Sequence, residues 1–448
     1  MKKVLIIVAI LICNISIAFG QTKDDSIVRN KWTAHFQLTV ISQSHSGFKS
    51  PYSGMNSLAD TVELGATSIT STLFLGRKLW RGGAFYFNPE ISGGKGLSYA
   101  VGVAGALNGE TYRIGDPAPQ VFVARAYLQQ NIPLKNAIYE YAPDDVNQVA
   151  DKIPNRRITI SAGKFAISDF YDDNAYSHDP RTQFLNWSLM ANGAWDYPAN
   201  TRGYTYGVVA ELIQPGWAVR FSSVAVPRIA NHPEMEYRLW EAHSETLEAE
   251  KRIFINRRSG TIRFLVTNTR SRAPSYQEGL NAIASKDSFL LDVISGNAEN
   301  NTYGGKKFGL GMSFDQELTN DMGLFGRVGW NDGKYATWAF TEIDQSFSIG
   351  LSQKGAKWKR PDDVCGIAFV SNGISKDHRE FLKEGGYGFI IGDGTLNYGH
   401  ESIVEAYYSA NLLKFLWVSL DYQFVNNPAY NKDRGPVHVF AIRGHIQF

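Results

Sequence analysis

The stretch Val437-His438-Val439-Phe440-Ala441-Ile442-Arg443-Gly444-His445-Ile446-Gln447-Phe448 alternates with a period of two. Phe440, Ile442, Gly444, Ile446 and Phe448 share one face, while Ala441, Arg443, His445 and Gln447 share the other. Successive side chains of a strand point to opposite faces, so this reads as a β-strand with one oily side. Two preceding segments repeat the pattern. Leu416, Val418, Leu420, Tyr422 and Phe424 alternate with Trp417, Ser419, Asp421 and Gln423; Val404, Ala406, Tyr408, Ala410 and Leu412 alternate with Ile403, Glu405, Tyr407, Ser409 and Asn411. A soluble sandwich would cover its polar faces with Lys and Glu. Here those faces carry scattered charges among Ser, Asn, Gln and aromatics, so the oily face is expected to look outward at lipid.

Working toward the N-terminus, similar segments fall near 32–45, 66–77, 82–92, 119–131, 155–166, 203–213, 216–225, 244–255, 259–270, 304–316, 321–331, 344–353 and 363–371, sixteen in all with the last three. Segment 244–255 also has a helical look, from Glu248, Glu250 and Lys251. Each has roughly the length that a tilted strand needs to cross a bilayer, and the even number suits a closed barrel. If the first strand runs outward, long connections fall at 46–65, 93–118, 167–202, 226–243, 271–303, 332–343, 372–402 and 425–436. Short turns such as Gln214-Pro215 and Leu413-Lys414 alternate with them, as in outer-membrane barrels. Two connections depart from this rhythm: 354–362 is of middling length, and 132–154 is a polar, partly helical-looking insertion. The expected fold is all-β, a transmembrane antiparallel barrel of sixteen strands with long extracellular loops.

Composition agrees. Aromatics reach 13 %, charged residues only 20 %, and hydrophobic residues 44 %, which excludes disorder. Residues 1–20 read as a secretory signal: Lys2-Lys3, an apolar core from Val4 to Ile17, then Ala18-Phe19-Gly20. Past it, no apolar run is long enough for a membrane-spanning helix. The formal charge of +2 resides in Lys2 and Lys3, so residues 21–448 are neutral and no nucleic-acid partner is expected. Of the two cysteines, Cys13 lies in the leader, leaving Cys365 without an intramolecular disulfide partner. The organisation expected is thus a signal peptide at 1–20 and one barrel over 21–448, placed in the outer membrane. The terminal Phe448, on the lipid face, is expected to serve insertion.

The stretch Gly163-Lys164-Phe165-Ala166-Ile167-Ser168-Asp169-Phe170-Tyr171-Asp172-Asp173-Asn174-Ala175-Tyr176-Ser177-His178-Asp179-Pro180-Arg181-Thr182-Gln183-Phe184-Leu185-Asn186-Trp187 resembles the signature of the carbohydrate-selective porins of Gram-negative bacteria. Asn427-Pro428-Ala429-Tyr430-Asn431-Lys432-Asp433-Arg434-Gly435-Pro436-Val437 and Tyr127-Leu128-Gln129-Gln130 are similar to the family as well. Gln183 stands where members commonly carry an acid, and 132–154 does not align. The resemblance implies a sixteen-stranded outer-membrane channel that passes sugars by diffusion, its bore narrowed by inward-folded loops.

Sugars offer many hydroxyls and weakly apolar ring faces, so a pore selective for them needs paired donors and acceptors with aromatic plates and little net field. In the 167–202 connection Asp169, Asp172, Asp173, His178, Asp179, Arg181, Asn186 and Trp187 supply that mix. By parity Arg125, Arg157, Arg220, Arg263, Arg327 and Arg443 point inward from the wall, as do Glu90, Asp315, Glu405 and Asp421. They either contact solute or pair across the wall, Asp421 with Arg443 for example. Lys164 breaks the alternation of its strand, which points to a bulge at Gly163 or to the polar rim.

Enzyme chemistry finds little support. Adjacent Asp172 and Asp173 point apart on an extended segment and do not make a two-carboxylate hydrolytic pair. The oxygen-rich run Asp169 to Asp179 suits Ca²⁺ in ligand type but lacks the twelve-residue loop spacing. No catalytic residue, metal or cofactor is expected. Trp80, Trp217, Trp330 and Tyr422, near strand ends, read as interfacial girdle. The partners expected are small neutral carbohydrates and outer-membrane lipid, with a homo-oligomer compatible. The rival readings are an outer-membrane barrel enzyme of lipase or protease type, a less selective general porin, and a secreted sugar-binding sandwich.

Overall fold

The computed structural model describes residues 31–111 and 118–448. The leader read at 1–20 lies outside the described residues. The strands, in chain order, are β1 (Trp32–His45), β2 (Glu63–Trp80), β3 (Gly83–Gly94), β4 (Gln120–Pro133), β5 (Tyr139–Ala142), β6 (Asp151–Pro154), β7 (Arg157–Phe165), β8 (Thr205–Gln214), β9 (Trp217–Val224), β10 (His243–Ile255), β11 (Arg258–Ser271), β12 (Gly305–Thr319), β13 (Met322–Asn331), β14 (Gln345–Gly355), β15 (Arg360–Gly373), β16 (Glu401–Leu413), β17 (Leu416–Asn426) and β18 (Val437–Gln447). All except β5 and β6 close into one antiparallel barrel, in which β1 pairs with β2 on one side and with β18 on the other. Closure leaves no sheet edge with unpaired backbone groups, the condition for a strand structure in hydrocarbon.

Each of the sixteen segments expected from alternation is a barrel strand. Burial is inverted relative to a soluble protein. In β18 the polar Arg443 and His445 are buried, whereas Phe440 and Ile442 are more than half exposed on the outer surface. The same outward belt carries Leu420, Ile367, Phe264 and Val328, with Trp32, Trp80, Trp217 and Trp330 among its exposed aromatics. Inward residues bury polar groups against the loops and each other.

Long connections gather at one end and short turns at the other. The long ones hold short helices, among them Tyr276–Ser285, whose Ser275 cap and Glu278 exchange hydrogen bonds in a capping box. The middling gap at 354–362 shrinks to residues 356–359, because β14 and β15 run further than the alternation suggested. The insertion at 132–154 is not helical. Its Tyr139–Ala142 and Asp151–Pro154 pair as a two-stranded hairpin, and its polar composition reflects turns, with Asn136 and Asn147 at positive φ. Gly163 does not create a bulge: both ladders of β7 pass it without a register shift. Its φ of +139° is one that glycine tolerates, and a Cβ there would lie 2.4 Å from the Ala126 carbonyl oxygen. Lys164 beyond it is at the rim, with its ammonium 5.3 Å from the Tyr206 ring centroid.

Candidate functional site

The connection 166–204 turns into the bore and is fastened to the inner wall of the C-terminal half of the barrel. Arg327 on β13 donates from Nε to Asp172 Oδ2 (2.8 Å), from Nη1 to the Leu189 carbonyl (2.7 Å) and from Nη2 to the Ser177 carbonyl (2.5 Å). Arg443 on β18 donates from Nη1 to the carbonyls of Pro180 and Gln183, both at 2.7 Å, and from Nη2 to Ser419 Oγ (3.1 Å). Glu405 on β16 accepts the backbone N–H groups of Leu185 (2.5 Å) and Asn186 (2.9 Å). Charge-assisted hydrogen bonds of this kind are strong, and the loop's irregular backbone finds its partners in them.

This anchorage corrects several expectations. Asp172 and Asn186 do not line the bore. Asp172 is the counter-charge of Arg327, and Asn186 both caps the short helix Trp187–Met190 and donates to Gln423 Oε1 (3.0 Å). Arg327, Arg443 and Glu405 point inward as parity requires, yet they lie beneath the loop. Asp421 is buried beside Glu405, and Arg443 gives its hydrogen bonds to loop carbonyls and Ser419 instead of to Asp421.

What remains of the bore is a cavity of about 720 Å³ against the opposite wall. Asp169, Asp173, His178, Asp179, Arg181 and Trp187 line it from the loop, and Arg125, Arg157 and Arg220 from the wall. At its upper end Arg181 sits among acceptors: Glu110 Oε1 at 3.1 Å, Glu90 Oε2 at 3.3 Å, Gln37 Oε1 at 3.0 Å and Thr72 Oγ1 at 3.2 Å. Tyr204 donates its hydroxyl to Glu90 (2.9 Å). Burial opposes the charge of Arg181, but the carboxylates of Glu110 and Glu90 outweigh it and raise the guanidinium pKa. Burial pushes the Glu110 carboxyl above the ordinary carboxylate range, against the pull of Arg181. Close by, Arg125 holds Asp169 through two parallel hydrogen bonds of 2.7 and 2.6 Å.

Further along the wall, charges pair strand to strand. Arg220 meets Glu211, Glu248 and Glu250 at 3.0 Å each, and Arg263 meets Glu250 at 3.3 Å and Asp315 at 2.6 Å. Arg157 instead donates to Thr159 Oγ1 (3.2 Å) and the Pro154 carbonyl (3.0 Å). On the loop side, Trp187 stacks on Phe340 with ring centroids 4.0 Å apart, and Tyr197 stacks on Phe340 at 4.6 Å. Asp196 positions Phe340 by accepting the backbone N–H groups of Trp338 (3.0 Å), Ala339 (2.9 Å) and Phe340 (2.8 Å). Trp187 is therefore 6 % exposed and reaches the cavity as an edge of a stack.

Alternation identified the wall residues but gave no hint of Glu110 and Tyr204, which lie on connections and come near Arg181 only through loop packing. Gln37 and Thr72 occupy inward positions of β1 and β2, so parity carries their signal; as neutral side chains they attract no notice. Among the described residues no three His, Cys, Asp or Glu side chains converge as a metal-ligand set. The arrangement is a polar, charge-balanced passage through which a hydroxyl-rich solute can exchange hydrogen bonds with both donors and acceptors.

Similarity to known proteins follows the same line. Among solved structures, the high-pH structure of Pseudomonas putida OprB superposes with a TM-score of 0.65 at 14 % identity, covering 94 % of this chain and 96 % of that one. The low-pH structure of the same protein gives a TM-score of 0.50 at 12 % identity, covering 94 % of each chain. Among curated proteins none matches the chain. The sequence profile described as "Carbohydrate-selective porin, OprB family" matches residues 66–448, nearly the whole barrel, and the chain belongs to that family.

Proposed function

We propose that this sugar-selective channel of the outer membrane passes mono- and small oligosaccharides by passive diffusion, and that the Arg181 and Arg125 clusters are where solute is read. The observation that carries this reading is Arg181 held between Glu90 and Glu110 at the top of the cavity. Guanidinium and carboxylate together offer vicinal hydroxyls a donor fork and acceptor pairs, and their charges largely cancel, which disfavours trapping of ions. Asp169, Asp173, His178 and Asp179 extend the polar lining on the loop side. Residues 1–20 direct export, the long connections face outside, and the short turns face the periplasm.

The family and the fold are those of a channel rather than an enzyme; transport by diffusion requires no catalytic residue and no cofactor. Single-channel recording in planar bilayers with a panel of neutral sugars tests the proposal. Concentration-dependent block of ion current by sugars is expected. Steady current through all of them would favour a general porin, and turnover of a chromogenic ester or peptide by the purified barrel would favour an enzyme.

A further inference from the structure

Between β4 and β7, at the periplasmic end, residues 134–156 replace what is elsewhere a tight turn. Their β5–β6 hairpin does not leave its tip in the periplasm. Val149 and Ala150 are buried, and Val149 packs in the apolar cluster that contains the inward-facing Tyr86 and Tyr127. Asn147 is at the tip, in the left-handed conformation (φ +53°) that Asn adopts more readily than most residues. Its Oδ1 accepts from Asn88 Nδ2 at 2.9 Å.

Asn88 is an inward residue of β3, one inward position below Glu90, so the tip climbs the bore to just beneath the Arg181 cluster. Its base is held by Lys78 Nζ to Asp151 at 2.5 Å and by His35 Nε2 lying 3.5 Å from Asp144 Oδ1. Val146, Asn147, Gln148 and Asp151 line the same cavity as Arg181 and Arg157.

We infer that residues 143–151 form a second filter for sugars, on the exit side of the bore, which sets the upper size of the permeating solute. The inference rests on the channel reading above. Solute that has passed Arg181 leaves between this finger and the wall that carries Arg157 and Arg220. The finger presents the amides of Asn147 and Gln148 and backbone groups there, and the charge of its Asp151 is met by Lys78, so its effect is mainly one of width. Because its tip packs on Tyr86 and Tyr127 and its base is paired to the wall, the finger narrows the passage as a fixed obstacle.

The test uses Asn147→Cys in a Cys365→Ser background, so that position 147 carries the sole thiol of residues 31–448. A positively charged methanethiosulfonate reagent is added to folded channels from the periplasmic side of a bilayer. Single-channel conductance should fall by about half or more, and the reversal potential in a salt gradient should move toward anions, since the adduct sits in the bore. A second variant replaces 144–150 by two glycines; its conductance should rise about two-fold, and liposome swelling should extend to larger oligosaccharides. Channels with unchanged conductance and size limit after the adduct would overturn the filter while leaving the sugar channel intact. Absence of sugar block in the unmodified protein would overturn both. Because the adduct is attached to protein already folded, it decides the matter even if the excision variant fails to assemble.

Discussion

Along β13 and β18, Arg327 and Arg443 are buried beneath the 166–204 loop and spend their donors on its carbonyls; along β4, β7 and β9, Arg125, Arg157 and Arg220 stand against the cavity and meet carboxylates, hydroxyls and water-accessible space. Both sets are arginines at inward positions of barrel strands. The difference teaches that inward orientation alone does not make a charge part of the passage. A loop laid over one arc converts that arc into scaffold and leaves the other to face solute. On the scaffold arc a guanidinium is a multi-headed backbone clamp; on the open arc it is a hydrogen-bonding surface.

The contrast predicts unequal costs. Arg327→Ala should have the largest effect, because it strands the buried Asp172 carboxylate and the carbonyls of Ser177 and Leu189. Removing one partner of a buried pair typically costs about 3–5 kcal/mol, so the folded, heat-modifiable band should disappear at lower temperature and conductance should rise as the loop loosens. Unaltered melting and conductance would show that the loop is held elsewhere.

Arg181→Ala comes next. It leaves Glu90 and Glu110 unopposed at the top of the cavity, so reversal potentials should shift toward cations and sugar block should weaken, with a smaller loss of stability than at Arg327. A pH titration addresses the same cluster. The Glu110 carboxyl titrates above the ordinary range, so its neutral form is favoured in the fold: on acidification it protonates before an ordinary glutamate, and stability from this group increases as pH falls through that raised value. Ion preference should therefore move toward anions early in the titration, and Glu110→Gln should remove that early step. The smallest effect is expected for Arg157→Ala on the open arc, within about 0.5 kcal/mol in stability, with a modest cation shift as its only clear signature.

The strands were legible because lipid outside and polar groups inside impose a period of two on every crossing, even on 244–255. There Glu248 and Glu250 suggested a helix when read locally, but both are inward partners of Arg220. The site was legible only in part. Arg181 and Asp169 stand out in the sequence as charges on a long connection, whereas the burial of Asp172 and Asn186 depends on β13 and β17, which no local pattern connects to them. The same holds for Arg443: its partners are main-chain carbonyls, which carry no residue-type signal, so Asp421 looked the more natural partner. The hairpin at 139–154 was misread because short polar strands joined by Asn-rich turns lack the alternation of a lipid-facing crossing.

The clamps that seat the 166–204 loop also set an order of events during assembly. Pro180 waits for Arg443 and Leu185 for Glu405, partners more than two hundred residues later in the chain. Contacts of such separation form late, after the intervening chain has been organised. A chain lacking its closing strand still holds the loop through Arg327, but the full set of clamps is in place only once β18, which carries Arg443, seals against β1. Leakiness of the envelope, rather than blockage, would be the mark of a chain stalled on the way.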